Sequence, residues 1–225
     1  MSIRRLSPFF VVGLVVVAMV ARRNAAASAP HSLPDPVSAA PPSATAGRDS
    51  VIFAGGCFWG VEAVFERVKG VIDVTSGYAG GTLNNPSYER VSDGDTGHAE
   101  SVKIIFDPSV VSYPQLLKVF FSVAHDPTQL NFQGPDHGTQ YRSAIWYATP
   151  EQQKETAAYI AQLTQAKLFQ GPIVTQVAKW QRFWPAEGYH QGYYDLHPNQ
   201  PYIVYNDRPK VEALRKQFPA LYHEK

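Results

Sequence analysis

The chain has 225 residues, 44% of them apolar and 12% aromatic, which excludes a disordered polypeptide and allows one domain or a small pair. Lys and Arg number 20 against 19 Asp and Glu, so the net charge of +1 leaves no electrostatic footprint for nucleic acid. A single cysteine, Cys57, excludes an internal disulfide and a multi-thiolate zinc site.

The N-terminus reads as an export segment. Arg4 and Arg5 precede an apolar run from Phe9 to Val20, and Ala25-Ala26-Ala27-Ser28-Ala29 follows. A charged start, 12 apolar residues and a small-residue stretch form the pattern of a secretory signal. The run is shorter than the roughly 20 residues of a spanning helix. Arg22 and Arg23 directly behind it are unusual for a cleaved signal. Residues 1–29 are therefore expected to be an export signal or an N-terminal anchor held through residues 6–21. The protein is expected to be periplasmic or secreted. Residues 30–48 carry five prolines among Ala and Ser, a linker composition expected to stay disordered. Removing residues 1–48 takes away five arginines and one aspartate. The body, residues 49–225, then holds 15 basic and 18 acidic side chains and is mildly acidic.

In the body, Val51 to Ala54 is a short apolar run closed by Gly55-Gly56, a buried strand and a turn. From Cys57 to Val68 the residues Val61, Val64, Phe65 and Val68 share one helical face, and Gly70 stops the helix. Val71 to Tyr78 reads as a strand, with Gly77, Gly80 and Gly81 opening a loop. His98 to Phe106 alternates Val102, Ile104 and Phe106, a strand ended by Asp107-Pro108. Ser112 and Gln115 form a capping box ahead of an apolar helix. Ser143 to Ala148 is a strand. Thr149-Pro150 starts a helix that runs to about Lys167. Ile173 to Lys179 is a strand, and Asp207 with Pro209 starts a last helix over Lys210 to Gln217. The irregular alternation predicts one α+β domain with a mixed sheet flanked by helices, in a two-layer ferredoxin-like core.

Cys57 sits where a strand ends, after two glycines, at a helix start. Helix N-termini present free N–H groups and partial positive charge, which favour the reactive thiolate and predict a lowered thiol pKa. Phe58 and Trp59 beside it suit an apolar wall for a methyl or thioether group.

Gly56-Cys57-Phe58-Trp59-Gly60 resembles the active-site signature of the methionine sulfoxide reductase A family. The resemblance extends through Gly77-Tyr78-Ala79-Gly80-Gly81, Pro86-Ser87-Tyr88, Gly94-Asp95-Thr96-Gly97-His98-Ala99-Glu100 and Asp136-His137-Gly138-Thr139-Gln140-Tyr141-Arg142-Ser143. It covers roughly residues 50–200. It implies thiol-dependent reduction of methionine S-sulfoxide, free or protein-bound, and repair of oxidised proteins. In that frame Cys57 is the nucleophile and Glu100 the acid that protonates the sulfoxide oxygen. Phe58 and Trp59 hold the methyl group, Tyr88 and Tyr141 donate to the oxygen, and Asp136 orients the network. Protonation makes the oxygen a competent leaving group, and a carboxylic acid kept neutral by burial supplies it.

The residues alone also admit a secreted cysteine hydrolase or acyltransferase using Cys57 with His98 or His137 and Asp136, and a non-catalytic binding module using Trp180, Trp184, Tyr193 and Tyr194. Neither accounts for the block around Glu100. His190 and His197 lack metal-ligand spacing, so no metal is expected. Many family members carry C-terminal cysteines that capture the oxidised nucleophile; here Tyr202 to Lys225 has none. The resemblance thus implies no bound cofactor, a Cys57 sulfenic acid reduced by an outside thiol of thioredoxin-like or low-molecular-weight type, and a monomer. The only methionines are Met1 and Met19, both in the export segment.

Overall fold

A computed structural model describes residues 33–37 and 47–225. The elements are β1 (Asp49–Ala54), α1 (Phe58–Phe65), β2 (Val71–Ala79), α2 (Tyr88–Ser92), β3 (Ala99–Phe106), α3 (Tyr113–Val119), β4 (Phe132–Gln133), β5 (Asp136–His137), β6 (Ala144–Tyr147), α4 (Pro150–Ala166), β7 (Gln176–Lys179), β8 (Phe183–Pro185), α5 (Tyr193–Leu196) and α6 (Arg208–Gln217). The main sheet runs β7-β6-β1-β3-β2-β8. Its central strands β6-β1-β3-β2 pair antiparallel, and β7 adds parallel to β6. The order β1-α1-β2-β3-α3-β6 in the chain, folded into that strand order, is the split βαβ of a ferredoxin-like core. The domain is α+β with a mixed sheet.

Alternation along each strand assigns the two faces. Val51, Phe53, Val74, Tyr78, Val102, Ile104, Phe106 and Ile145 point into the main core with Phe58, Val61, Val64, Phe65 and Val68. Ile52, Ala54, Ala79, Ala99, Ala144 and Trp146 form a smaller core on the other face, covered in part by Trp180 and Phe183. Glu100 follows the parity of Val102 and Ile104, so the strand places a carboxyl on its apolar side, opposite Tyr78 of β2.

The caps form where the sequence puts them. Ser112 and Gln115 make both bonds of the capping box of α3. Thr149 caps α4 with Pro150 at its start, and Lys167 closes it at φ +51. Three expectations are corrected. The helix after Cys57 ends at Phe65, because Arg67 and Val68 turn away, Val68 to bridge Tyr222. The strand expected from Ile173 begins at Gln176, because the Val174 N–H goes to the Pro127 carbonyl of a loop. The segment expected to be a disordered linker is docked over residues 33–37: Leu33 is buried in the core, the Tyr159 hydroxyl donates to the Pro34 carbonyl, and Lys118 pairs with Asp35. One apolar side chain outweighs the surrounding Pro and Ala composition there. Residues 1–29 and, of that linker, residues 30–32 and 38–46 lie outside the described residues. Among the described residues no helix is long and apolar enough to cross a membrane.

Candidate active site

Gly56 turns the chain from β1 into α1 at φ +86, and a Cβ there would lie 2.5 Å from the Gln133 side chain. Only glycine fits that turn. Cys57 becomes the N-cap residue of α1, buried at 8% exposure. The cap makes no side-chain bond to the helix. The free Phe58 N–H instead donates to Glu100 Oε2 at 3.0 Å, so the first turn of α1 is capped by a carboxyl from β3.

Glu100 is 2% exposed, and burial pushes its carboxyl up to about 8. The Phe58 N–H and the Cys57 thiol pull it down, while Asp136 and Asp207 push it further up. The side chain is therefore a neutral acid at neutral pH. The Cys57 thiol is raised well above its ordinary range, first by burial and then by Glu100 and Asp207; the Trp59 N–H and Lys210 oppose this and lose. This corrects the expectation of a lowered thiol pKa. The helix terminus is present, but desolvation and two carboxyls outweigh its partial charge. The resting pair is a thiol beside a neutral acid.

Tyr88 starts α2 and Tyr141 ends a short 3-10 turn over Thr139–Tyr141. Both are half-buried, and burial followed by the Glu100 carboxyl raises both phenols. They stay protonated and available as donors. Asp136 in β5 accepts from the Tyr202 hydroxyl, and burial raises its carboxyl against the pull of Tyr202 and Lys210. The structure thus gathers Cys57, Glu100, Tyr88, Tyr141 and Asp136, which the sequence scatters over some 85 positions.

Phe58 is fully buried, 6.0 Å from the Tyr78 ring. Trp59 is half-buried and stacks flat on Tyr193 at 3.7 Å and 7°. Its indole N–H donates to His190 Nδ1 at 3.1 Å. Since Nδ1 accepts, the proton sits on Nε2, which is buried without a partner. The His190 ring lies 5.0 Å from Phe58 and 4.5 Å from Tyr88, at the junction of wall and hydroxyl.

Sequence reasoning missed several residues of this site. Glu187 accepts from the Tyr78 hydroxyl and the Tyr88 N–H, both at 2.9 Å. Asp207 is fully buried and pairs with Lys210 at 3.2 Å. A Cβ on Gly60 would fall 2.1 Å from Asp207 Oδ1, so the glycine lets this ion pair rest against the first turn of α1. The only local sign was a charged residue beside the Pro209 helix start.

The hydrolase reading finds no base. His98 Nδ1 accepts from the Gly81 N–H at 3.2 Å and its Nε2 faces the Leu83 carbonyl at 2.8 Å, so both ring nitrogens hold a loop. His137 is exposed and stacks on Phe132. The aromatics of the binding-module reading are engaged: Trp184 packs on the main core, Trp180 on the smaller one, and Tyr193 on Trp59. Among the described residues no group of three or more His, Cys, Asp or Glu is placed to hold a metal ion.

Comparison with known proteins identifies the family. The family model for peptide methionine sulfoxide reductase matches residues 49–221. A peptide methionine sulfoxide reductase of Mesorhizobium japonicum is 58% identical over 182 residues, covering 81% of this chain and 93% of its own. One from Synechocystis is 51% identical over 188 residues, covering 83% and 88%. Among solved structures, reduced Mxr1 of Saccharomyces cerevisiae has a TM-score of 0.62 at 34% identity, covering 70% of this chain and 92% of its own. Methionine sulfoxide reductase A of Corynebacterium diphtheriae has a TM-score of 0.60 at 34% identity, covering 75% and 88%. The chain belongs to the peptide methionine sulfoxide reductase family.

Proposed function

We propose that this chain reduces methionine S-sulfoxide by attack of Cys57 on the sulfoxide sulfur, with Glu100 as the proton donor. The activity itself follows from family membership: the chain is a methionine sulfoxide reductase that repairs oxidative damage. The observation that carries the assignment of roles is the buried pair on one helix terminus: the Cys57 thiol at the N-cap, and the Glu100 carboxyl that accepts from the Phe58 N–H and is kept neutral by burial.

Trp59 and Phe58 receive the substrate methyl group, and Tyr88 and Tyr141 donate to the sulfoxide oxygen. Glu100 passes its proton to that oxygen as the Cys57 sulfur forms its bond to the substrate sulfur. The carboxylate left behind takes the Cys57 proton. The substrate S–O bond breaks as that oxygen bonds to the Cys57 sulfur, and the bond between the two sulfurs breaks with its electron pair returning to the substrate, so methionine leaves as the thioether and Cys57 is left as a sulfenic acid. One thiol and one sulfoxide become one sulfenic acid and one thioether.

With Cys57 the only cysteine, recycling falls to two outside thiols. The first displaces water to form a mixed disulfide and the second releases Cys57 as the thiol. A thioredoxin-like protein or a small thiol fits this role. Residues 1–29 carry the charge and hydropathy pattern of an export signal, so the reductant belongs outside the cytoplasm. Mass spectrometry of the enzyme mixed with one equivalent of methyl sulfoxide, anaerobic and thiol-free, is expected to show a gain of one oxygen on Cys57. Stoichiometric product with unmodified Cys57 would overturn the mechanism.

A further inference from the structure

Trp59 is held by a segment distant in sequence. Tyr193 stacks flat on its face and His190 accepts from its indole N–H. Both belong to residues 187–195, a strap that lies across α1 and β2 and is tied down by polar contacts. Gln191 accepts from the Ser76 N–H at 2.9 Å and donates to the Ser76 and Ala186 carbonyls at 2.9 and 3.0 Å. Asp195 pairs with Arg67. At the centre, Gly192 turns the strap at φ +62 directly before Tyr193, and its N–H donates to Glu62 Oε2 at 3.0 Å. Glu62 is 1% exposed and lies on α1 three residues after Trp59, so both face the same side of the helix.

A buried carboxyl is costly unless it is hydrogen-bonded, and the bond shown for Glu62 is the one from the Gly192 N–H. Nothing in the oxygen-transfer step uses Glu62, which touches neither Cys57 nor Glu100 among the contacts of either. We infer that Glu62 is a positioning residue that sets alkyl-group specificity: by holding Gly192 it fixes Tyr193 on Trp59, and so fixes the depth of the wall that receives the substrate methyl. Burial pushes its carboxyl up to about 8, so at neutral pH it accepts the Gly192 N–H as a neutral acid, with Glu66 raising it further and Lys225 lowering it. An amide oxygen can serve the same purpose.

The inference rests on Trp59 forming the methyl wall. One added methylene in an apolar pocket is worth roughly 10–200-fold in discrimination. The experiment compares kcat/KM for methyl and ethyl sulfoxides in wild type and in Trp59→Leu, Glu62→Met, Glu62→Gln and Tyr193→Leu, with folding checked by thermal melting. Trp59→Leu is expected to collapse the methyl preference. Glu62→Met and Tyr193→Leu are expected to lower it about five- to tenfold, through KM, and Glu62→Gln to keep it within about twofold. Loss of stability alone moves both substrates together and leaves the ratio unchanged. An unchanged ratio in Trp59→Leu would remove the wall, and the inference with it. A collapsed ratio in Trp59→Leu with an unchanged ratio in folded Glu62→Met would overturn the inference and leave the wall standing. Should Glu62→Met not fold, an unchanged ratio in Tyr193→Leu would overturn it, since the stacking would then not set the wall.

Discussion

Two glutamates, Glu62 on α1 and Glu100 on β3 against its first turn, have nearly the same physical state and different surroundings. Glu100 and Glu62 are both buried, both pushed up to about 8 chiefly by desolvation, and each accepts one backbone N–H at 3.0 Å. Glu100 accepts from the helix's first N–H, beside a thiol and within reach of two phenols. Glu62 accepts from a glycine of the strap, with Glu66 and Lys225 as its charged neighbours. A displaced carboxyl pKa is therefore a sign of burial in both places. What separates the acid from the brace is the presence of a sulfur to protonate around.

The comparison breaks most sharply on rate. Glu100→Gln keeps the Phe58 N–H bond but has no proton to deliver, so oxygen transfer is expected to fall on the order of 10²–10⁴-fold in single-turnover assays. Glu62→Gln is expected to change it by less than about threefold. Equal losses in the two variants would erase the distinction.

A second test uses pH. Glu100 must be neutral to donate, and it is neutral below its folded pKa of about 8. The single-turnover rate is expected to hold below pH 8 and to fall about tenfold per unit above it. The break should vanish in Glu100→Gln and persist in Glu62→Gln. A break tracking Glu62 would take the acid role away from Glu100.

Stability is the property on which the two residues should agree, and so separates them least. Each carboxyl has a folded pKa above its unfolded value of 4.5. As pH rises past 4.5 the unfolded chain releases a proton that the folded chain keeps until about pH 8, so each glutamate lowers stability across that window. Either Gln variant is expected to match wild type near pH 4 and to exceed it by pH 8 on the order of 4 kcal/mol, or roughly 8–16 °C in Tm. Thermal melts at both pH values check it; a gain already present at pH 4 would mean that packing, not titration, is responsible.

Most of the strands, the capping box of α3, the Thr149 cap of α4 and the Gly-Gly-Cys turn were legible because each is written in a few adjacent residues. Glu100 was legible through the block it sits in. Asp207 and Lys210 were not, because they act on Cys57 across 150 positions of chain, and no periodicity reports such a distance. The same gap explains the thiol: its helix terminus is local, while the carboxyls that override it arrive from β3 and from the turn before α6. Strand β8 and helix α2, at three and five residues, are too short to carry a pattern. Leu33 was hidden by its composition, since one buried side chain among prolines looks like chance.

The seat that Gly60 provides for Asp207 also has a meaning in time. Cys57 and the first turn of α1 are synthesised early, and Asp207 follows 150 residues later. At the usual pace of translation that interval is roughly 10–30 s. During it β1, α1, β2 and β3 can already pair, yet the ion pair, Tyr202 and the strap that enclose the sulfur have not been made. The burial of the Cys57 thiol thus waits on residues 187–210, made well after the turn that carries it.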